Sequence, residues 1–236
     1  MAPHIEAADP FPEATAVQLP VDGARLSADL TVPRDAHGTV IFAHGSGSSR
    51  FSGRNRAVAA TLQHKGYATL LLDLLTPDEE REDEYTRLLR FDIPMLARRL
   101  ACAADWVAQQ REMKALPMAY FGASTGAAAA LVAAGTRPQG FEAVVSRGGR
   151  PDLAGESLPI VQAATLLIVG GDDVEVLELN RRALAKLRST KSLEIVPGAS
   201  HLFEERGALV RVAALAVDWF DRYLRPHTEA PPEHAA

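Results

Sequence analysis

Short and almost wholly apolar runs alternate along this chain with segments of helical length. Runs of this kind are typical of parallel strands that helices cover on both faces. The intervening segments carry helix signals; Ser52, for example, can cap a helix that ends before Gly66. The alternation predicts an α/β fold with a mostly parallel sheet and helices on both faces. The apolar runs span residues 39–43, 68–72, 118–121, 143–145, 165–169 and 192–196.

Two β-like runs, 14–21 and 25–32, precede this pattern and are joined by Asp22 and Gly23, a pair that suits a tight turn. They predict an antiparallel hairpin at one edge of the sheet. Val145 and Thr165 are only 20 positions apart, which is too few for a helical cap domain. We therefore expect one domain without a cap over residues 14–225, with flexible tails at 1–13 and 226–236.

Charge and apolar patterning limit the possible partners of the chain. The 236 residues carry a net charge of -5, whereas proteins that bind nucleic acid use clustered positive charge. No apolar stretch approaches the roughly 18 residues that a membrane-spanning helix needs. Residues 1–13 lack a basic segment before an apolar run, and the single Cys102 cannot form an intramolecular disulfide. We expect a cytoplasmic protein with a small-molecule substrate, without a nucleic-acid partner or a membrane span.

One acidic segment is unlike the rest of the chain. Six of the ten residues 76–85 are Asp or Glu. Charge runs usually face solvent, so a solvated loop or helix face is the favoured interpretation. A mobile flap over a pocket is the alternative.

The sharpest motif is the G-x-S-x-G of residues 122–126, between an apolar run and a helix-like segment. This context is typical of a nucleophile elbow, in which the serine occupies a strained turn at a helix N-terminus. Glycines at 122 and 126 allow the neighbouring backbone to approach without a Cβ clash. The motif predicts Ser124 as a nucleophile, and a glycine-flanked helix cap is the alternative for an isolated match.

A serine nucleophile needs a base that a carboxylate orients. Asp172 and Asp173 follow the run 165–169, and His201 follows the run 192–196. Both positions lie at the carboxyl ends of strands, where open α/β sheets bind ligands. The predicted triad is Ser124, Asp173 and His201, with Asp172 as a competitor. His44 and His64 are expected to have structural roles, in a loop and at a helix end.

An oxyanion hole needs two backbone N–H groups. One is expected from Thr125, the residue after the nucleophile. The other should come from the loop after an early strand, here the sequence HGSGSS from residue 44. Ser46 is the predicted donor, because Gly45 and Gly47 leave the backbone free to orient its N–H.

The motifs HGSGSS, GASTG, GGDD and PGASH occur in that order. Over residues 14–225 the chain resembles the α/β-hydrolase superfamily, and within it the dienelactone-hydrolase-like serine hydrolases. The resemblance implies hydrolysis of small or accessible carboxylic esters or lactones through an acyl-enzyme. Similar hydrolases have a G-x-x-D-x-x-V spacing, which Gly170, Asp173 and Val176 satisfy. The dienelactone hydrolases that give the family its name use a cysteine where this chain has Ser124. A general carboxylic ester is therefore a better expected substrate than dienelactone.

The loop of residues 146–152 is expected to leave the sheet on the catalytic side. Arg147 lies in this loop and is a candidate to bind a substrate carboxylate or phosphate. A salt bridge to a neighbouring acid is the alternative. No His/Cys/Asp cluster has metal-ligand spacing and no phosphate-binding glycine motif follows a strand, so no metal and no cofactor are expected. Two other functions remain open: acyl transfer to an acceptor such as peroxide, and a non-catalytic receptor with the same fold.

Overall fold

An eight-stranded sheet organises the residues that the computed structural model describes, which are 13–21, 23–137 and 140–224. Asp22 of the predicted turn and the predicted tails, except Glu13, lie outside these residues. The strands are β1 (Thr15–Val21), β2 (Ala24–Thr31), β3 (Gly38–Ala43), β4 (Tyr67–Leu72), β5 (Met118–Ala123), β6 (Phe141–Arg147), β7 (Ala164–Gly170) and β8 (Lys191–Val196). The α-helices are α1 (Gly53–His64), α2 (Pro77–Thr86), α3 (Ile93–Gln109), α4 (Thr125–Thr136), α5 (Val174–Lys186) and α6 (Ala208–Tyr223).

The order of the strands is β1-β2-β4-β3-β5-β6-β7-β8. Strand β2 pairs antiparallel with β1 and with β4, and every pair from β4 to β8 is parallel. This arrangement confirms the predicted α/β fold with a mostly parallel sheet and an antiparallel N-terminal hairpin. Because the strands from β3 onward run the same way, their carboxyl ends lie along one edge of the sheet.

Both faces of the sheet are covered. Successive side chains of a strand point to opposite faces. In β3, Ile41 belongs to the core cluster that includes residues of α3 and α4, and Phe42 belongs to the cluster that includes residues of α1 and α6. Burial on both faces explains why these strands are apolar throughout.

The acidic segment forms helix α2, which begins with a capping box between Thr76 and Glu79. The solvated interpretation is wrong for two of its acids. Glu79 accepts from Arg99 Nη2 at 2.6 Å, and Asp83 is only 1% exposed and pairs with Arg90. The acids that do face solvent are Asp78, Glu82 and Glu84.

The connection from β6 to β7 contains a 3-10 segment, Pro151–Ile160, that packs on α4. Gly135 of α4 lies close enough that a Cβ there would be 3.2 Å from the carbonyl oxygen of Ser157. The connection is therefore a packed segment of the fold and not the helical cap domain that its length excludes. Within the described residues, no helix is long and apolar enough to cross a membrane, and no group of three or more His, Cys, Asp or Glu could hold a metal ion.

Candidate active site

Ser124 occupies the turn between the end of β5 and the start of α4. Its backbone angles are φ 51° and ψ -122°, a strained combination for a residue with a side chain. The turn is so tight that a Cβ at Gly126 would clash with the carbonyl oxygens of Ala43 and His44. A Cβ at Gly122 would clash with Ala127 in the same way. The two glycines of the motif therefore permit the close packing that holds the strained turn.

Asp173 and His201 meet at the ends of neighbouring strands. Asp173 precedes α5, and its Oδ2 lies 2.7 Å from His201 Nδ1. An ionised carboxylate at this distance accepts the Nδ1–H, which leaves Nε2 of the ring free to take a proton. The competing residue, Asp172, is exposed to solvent. The acid–base contact that a triad needs is thus made by Asp173.

Ser124 and His201 lie at the same edge of the sheet. The backbone N–H of Ser124 donates to the carbonyl of Arg147 at 3.3 Å, and Gly148, the next residue, packs against His201. A Cβ at Gly148 would be 3.6 Å from His201 Cε1. Within the described residues no hydrogen bond joins Ser124 Oγ to His201. In unliganded enzymes such bonds are often long and shorten when substrate binds.

The loop of residues 44–49 passes over the turn that contains Ser124. A Cβ at Gly45 would be 3.0 Å from the Cβ of Ser124. The next residue, Ser46, donates its backbone N–H to Thr125 Oγ1 at 2.9 Å. The two predicted oxyanion residues are therefore in contact, and the N–H of Ser46 is engaged by a side-chain hydroxyl.

His44 is buried and both of its ring nitrogens are bonded. Nε2 accepts the backbone N–H of Leu74 at 3.0 Å, so Nδ1 carries the proton and donates to the carbonyl of Gly45 at 2.9 Å. Burial lowers the pKa of His44, and the bond to Gly45 and the charge of Asp73 only partly oppose this effect. These contacts are those of a structural histidine. His64 likewise contacts the carbonyl of Ala60 within its own helix.

A cavity of about 250 Å³ lies between the 44–49 loop and α2. Its lining includes residues near the Ser124 turn and residues of the acidic segment. Glu80 is among them; burial, together with the charges of Asp73 and Glu84, raises its pKa. Ser46 and Thr125 of this lining are predicted site residues, whereas Leu74, Arg90 and Leu96 are not predicted from the sequence. For the acidic segment, the flap over a pocket is the alternative that anticipates its place beside a cavity. The walls include Ser46, Leu74, Glu80, Arg90, Leu96 and Thr125.

Arg147 ends β6 and is buried. Its Nη2 donates to Asn55 Oδ1 at 3.3 Å. In the described part of the chain no carboxylate pairs with it, so the alternative of a salt bridge to a neighbouring acid is wrong for these residues.

The sheet order, with a serine on a strained strand-to-helix turn and a bonded acid and histidine at later strand ends, defines an α/β-hydrolase fold. The sequence model of the dienelactone hydrolase family matches residues 26–225. The chain belongs to the dienelactone hydrolase family.

Individual relatives support this assignment. A crystal structure of dienelactone hydrolase from Anabaena variabilis is 56% identical, with a TM-score of 0.89 over 91% of this chain and 100% of that chain. A lidless α/β serine hydrolase from Xanthomonas campestris shares the fold, at 22% identity and a TM-score of 0.71 over 93% and 97% of the two chains.

Two Mycobacterium tuberculosis proteins named "Putative phosphoribosyl transferase" are 56% identical over 218 residues. The match covers 92% of this chain and 48% of each relative. The chain therefore spans about half the length of these mycobacterial proteins.

Proposed function

We propose that this chain is a serine hydrolase that cleaves small or accessible carboxylic esters or lactones. The observation that carries the proposal is the strained backbone of Ser124, φ 51° and ψ -122°, between β5 and α4. Strain of this kind persists only where the surrounding structure enforces it, and it clusters at functional sites. The Asp173–His201 contact at 2.7 Å supplies a matching base.

In the acylation step, Ser124 Oγ attacks the carbonyl carbon of the ester while His201 Nε2 takes the hydroxyl proton. Asp173 accepts the hydrogen bond from Nδ1 and stabilises the imidazolium that forms. When the tetrahedral intermediate collapses, the C–O bond to the alcohol breaks and His201 returns the proton to the leaving oxygen. The acyl group then remains on Ser124.

In the deacylation step, His201 takes a proton from water, and the resulting hydroxide attacks the acyl carbon. The bond to Ser124 Oγ breaks, and the proton returns to Ser124. In both steps the carbonyl oxygen becomes negative and needs two donors. The backbone N–H of Thr125 is the first donor and the backbone N–H of Ser46 is the second. The N–H of Ser46 would then be shared between the oxyanion and Thr125 Oγ1.

The transferase name of the mycobacterial relatives belongs to proteins of about twice the matched length. We infer that it describes another part of those proteins, because nearly all of this chain matches them and the dienelactone hydrolase family model covers residues 26–225 of this chain. Incubation with 5-phosphoribosyl diphosphate and a nucleobase should therefore release no pyrophosphate from this chain.

Labelling with a fluorophosphonate probe tests the proposal directly. Such a probe phosphonylates a serine only when a base activates it. We expect one adduct, on Ser124, in the wild-type protein and none in Ser124→Ala or His201→Ala. Ser192→Ala, at the opposite end of the sheet, is the matched control and should label normally. Hydrolysis of 4-nitrophenyl acetate should follow the same pattern.

Each outcome discriminates between the functions. A labelled Ser124 with turnover supports the hydrolase. Well-folded protein without label would support a receptor with this fold. Labelling together with faster product formation in added alcohol or peroxide would support acyl transfer to an acceptor other than water.

A further inference from the structure

Both ends of the 44–49 loop are bonded to the two residues that directly follow β4. At the start of the loop, His44 Nε2 accepts the backbone N–H of Leu74 at 3.0 Å. Directly after the loop, the backbone N–H of Arg50 donates to Asp73 Oδ1 at 2.6 Å. Asp73 and Leu74 are neighbours in the sequence, so the two bonds hold both ends of the loop at one place beside the sheet.

Asp73 has the burial and the contacts of a fixed anchor. The residue is 8% exposed, and its backbone N–H donates to the carbonyl of Ser27 in β2 at 2.9 Å. Its second carboxylate oxygen, Oδ2, accepts a hydrogen bond from Arg50 Nη1. One carboxylate thus binds both the main chain and the side chain of Arg50, and hydrogen bonds to an ionised group are about twice as strong as neutral ones. The end of the loop is held on the sheet through this carboxylate.

Arg50 has a second acidic partner besides Asp73. Its Nε donates to Asp29 Oδ1 at 3.2 Å, and its guanidinium lies 4.0 Å from the centre of the Phe51 ring. Asp29, in β2, therefore also compensates the charge of Arg50. Of these two acids, Asp73 is the one that accepts the backbone N–H of the chain as it leaves the loop. The contribution that distinguishes Asp73 is thus to the path of the main chain and not to the charge balance of Arg50.

The 44–49 loop carries the second proposed oxyanion donor, the backbone N–H of Ser46. This residue lies between Gly45 and Gly47, and Gly47 has φ 67°. Glycines leave the backbone conformationally free, so the path of the loop depends on how its ends are held. Displacing a catalytic group by about 1 Å costs roughly a hundredfold in rate. The bonds at the two ends of the loop are therefore expected to matter for the orientation of the Ser46 N–H.

We propose that Asp73 is a positioning residue for ester hydrolysis. It holds the end of the 44–49 loop and thereby keeps the backbone N–H of Ser46 directed at the oxyanion. This inference rests on the proposed function, because the oxyanion forms only when Ser124 attacks an ester. Since the bound substrate carries no oxyanion, loss of Asp73 should lower kcat and leave KM nearly unchanged.

Steady-state kinetics with 4-nitrophenyl acetate tests this role in three variants. Asp73→Ala should lower kcat about thirtyfold, which is less than the roughly 10²–10³ that loss of a whole oxyanion donor costs. Asp73→Asn keeps an oxygen for the Arg50 N–H and should restore most of the activity. Asp29→Asn is the matched control, because it also removes a negative charge beside Arg50 but leaves the loop backbone bonded, and it should keep the wild-type kcat. An equal loss of kcat in Asp29→Asn and Asp73→Ala would overturn the role.

A transition-state analogue gives a readout that a purely structural role would not change. Ser124 Oγ adds to the carbonyl carbon of 2,2,2-trifluoroacetophenone, its proton passes to His201, and the carbonyl oxygen becomes an oxyanion in the proposed hole. The inhibition constant should rise in Asp73→Ala by about the same factor as kcat falls, and it should stay unchanged in Asp29→Asn. A protein that is merely less stable keeps the wild-type inhibition constant once folded, so an unchanged constant in Asp73→Ala would contradict the proposal.

Amide hydrogen exchange tests the anchor without any activity. The peptide that contains residues 44–50 should exchange at least about tenfold faster in Asp73→Ala than in the wild-type protein, and at the wild-type rate in Asp29→Asn. If the wild-type protein neither hydrolyses the ester nor binds the ketone, the proposed function fails, and exchange still decides whether Asp73 holds the loop. Equal exchange in Asp73→Ala and the wild-type protein would overturn the anchor. If Asp73→Ala does not fold, Asp73→Ser, whose shorter side chain lacks the carboxylate, takes its place.

Discussion

The backbone N–H of Ser46 donates a hydrogen bond to Thr125 Oγ1 over 2.9 Å. This contact joins the loop after β3 to the first residue of α4, and the two residues are 79 positions apart in the sequence. It therefore fixes the proposed second oxyanion donor relative to the turn that carries Ser124. Because Thr125 is nearly fully buried, its hydroxyl holds this orientation without competition from bulk solvent.

Replacing Thr125 with valine should lower kcat about fivefold, because a neutral hydrogen bond worth roughly 1 kcal/mol no longer orients the Ser46 N–H. Thr125→Ser keeps the hydroxyl and should retain most of the activity. Steady-state kinetics with 4-nitrophenyl acetate measures both variants. An unchanged or higher kcat in the valine variant would show that the hydroxyl competes with the oxyanion and does not orient its donor.

Asp173→Asn should lower kcat by roughly 10⁴, because an amide at this position no longer holds His201 in the tautomer that leaves Nε2 unprotonated. Asp172→Asn is the matched control, since this neighbouring acid is exposed and should tolerate the change. Thermal unfolding checks that both variants remain folded. A comparable loss of activity in the two variants would contradict the assignment of Asp173.

The fold could be predicted from the sequence because the strands of this sheet are buried on both faces and so consist of apolar residues. The bounds of β6 were underestimated, since Phe141–Arg147 ends in Ser146 and Arg147, polar residues that a pattern of apolar residues excludes. Helix α2 was not predicted as a packed element, although Thr76 and Glu79 carry its capping box. The run of acidic residues in the sequence does not show which of them form ion pairs, namely Glu79 with Arg99 of α3 and Asp83 with Arg90.

Some contacts of the site could be predicted from the sequence and others could not, for a physical reason. The order of Ser124, Asp173 and His201 follows from strand ends, which the sequence pattern locates. The contact between Ser46 and Thr125 depends on the path of a loop that includes Gly47 at φ 67°, and no local pattern determines that path. The charge environment of Arg147 also depends on packing between distant elements, and it could only be seen in three dimensions.

His44 should make the stability of the protein depend on pH. Its folded-state pKa lies below its unfolded value, so the unfolded chain binds more protons at mildly acidic pH. The stability that neutral His44 contributes is fully present above the unfolded-state pKa of about 6.5 and is lost as the pH falls below this value. Asp73 is the charged group that opposes the shift. Protonation would also place a second N–H against that of Leu74.

Urea unfolding between about pH 5 and pH 8 measures this effect. The free energy of unfolding of the wild-type protein should rise with pH across the lower part of this range. His44→Asn cannot titrate and should show a smaller rise, together with lower stability at pH 8, where the native contacts of His44 are complete. Parallel pH curves for the two proteins would mean that other groups cause the dependence.

Gly126→Ala should destabilise the protein by about 3 kcal/mol, at the upper end of what overpacking usually costs. The added Cβ would meet the carbonyl oxygens of Ala43 and His44, and backbone atoms of a central strand cannot move aside cheaply. Gly53→Ala is the matched control, because a Cβ there has no neighbour within 4 Å and its φ is not positive. As the first residue of α1, alanine at 53 should raise stability by less than about 1 kcal/mol. Urea unfolding of both variants checks the difference, and equal stabilities would contradict the close packing of the Ser124 turn.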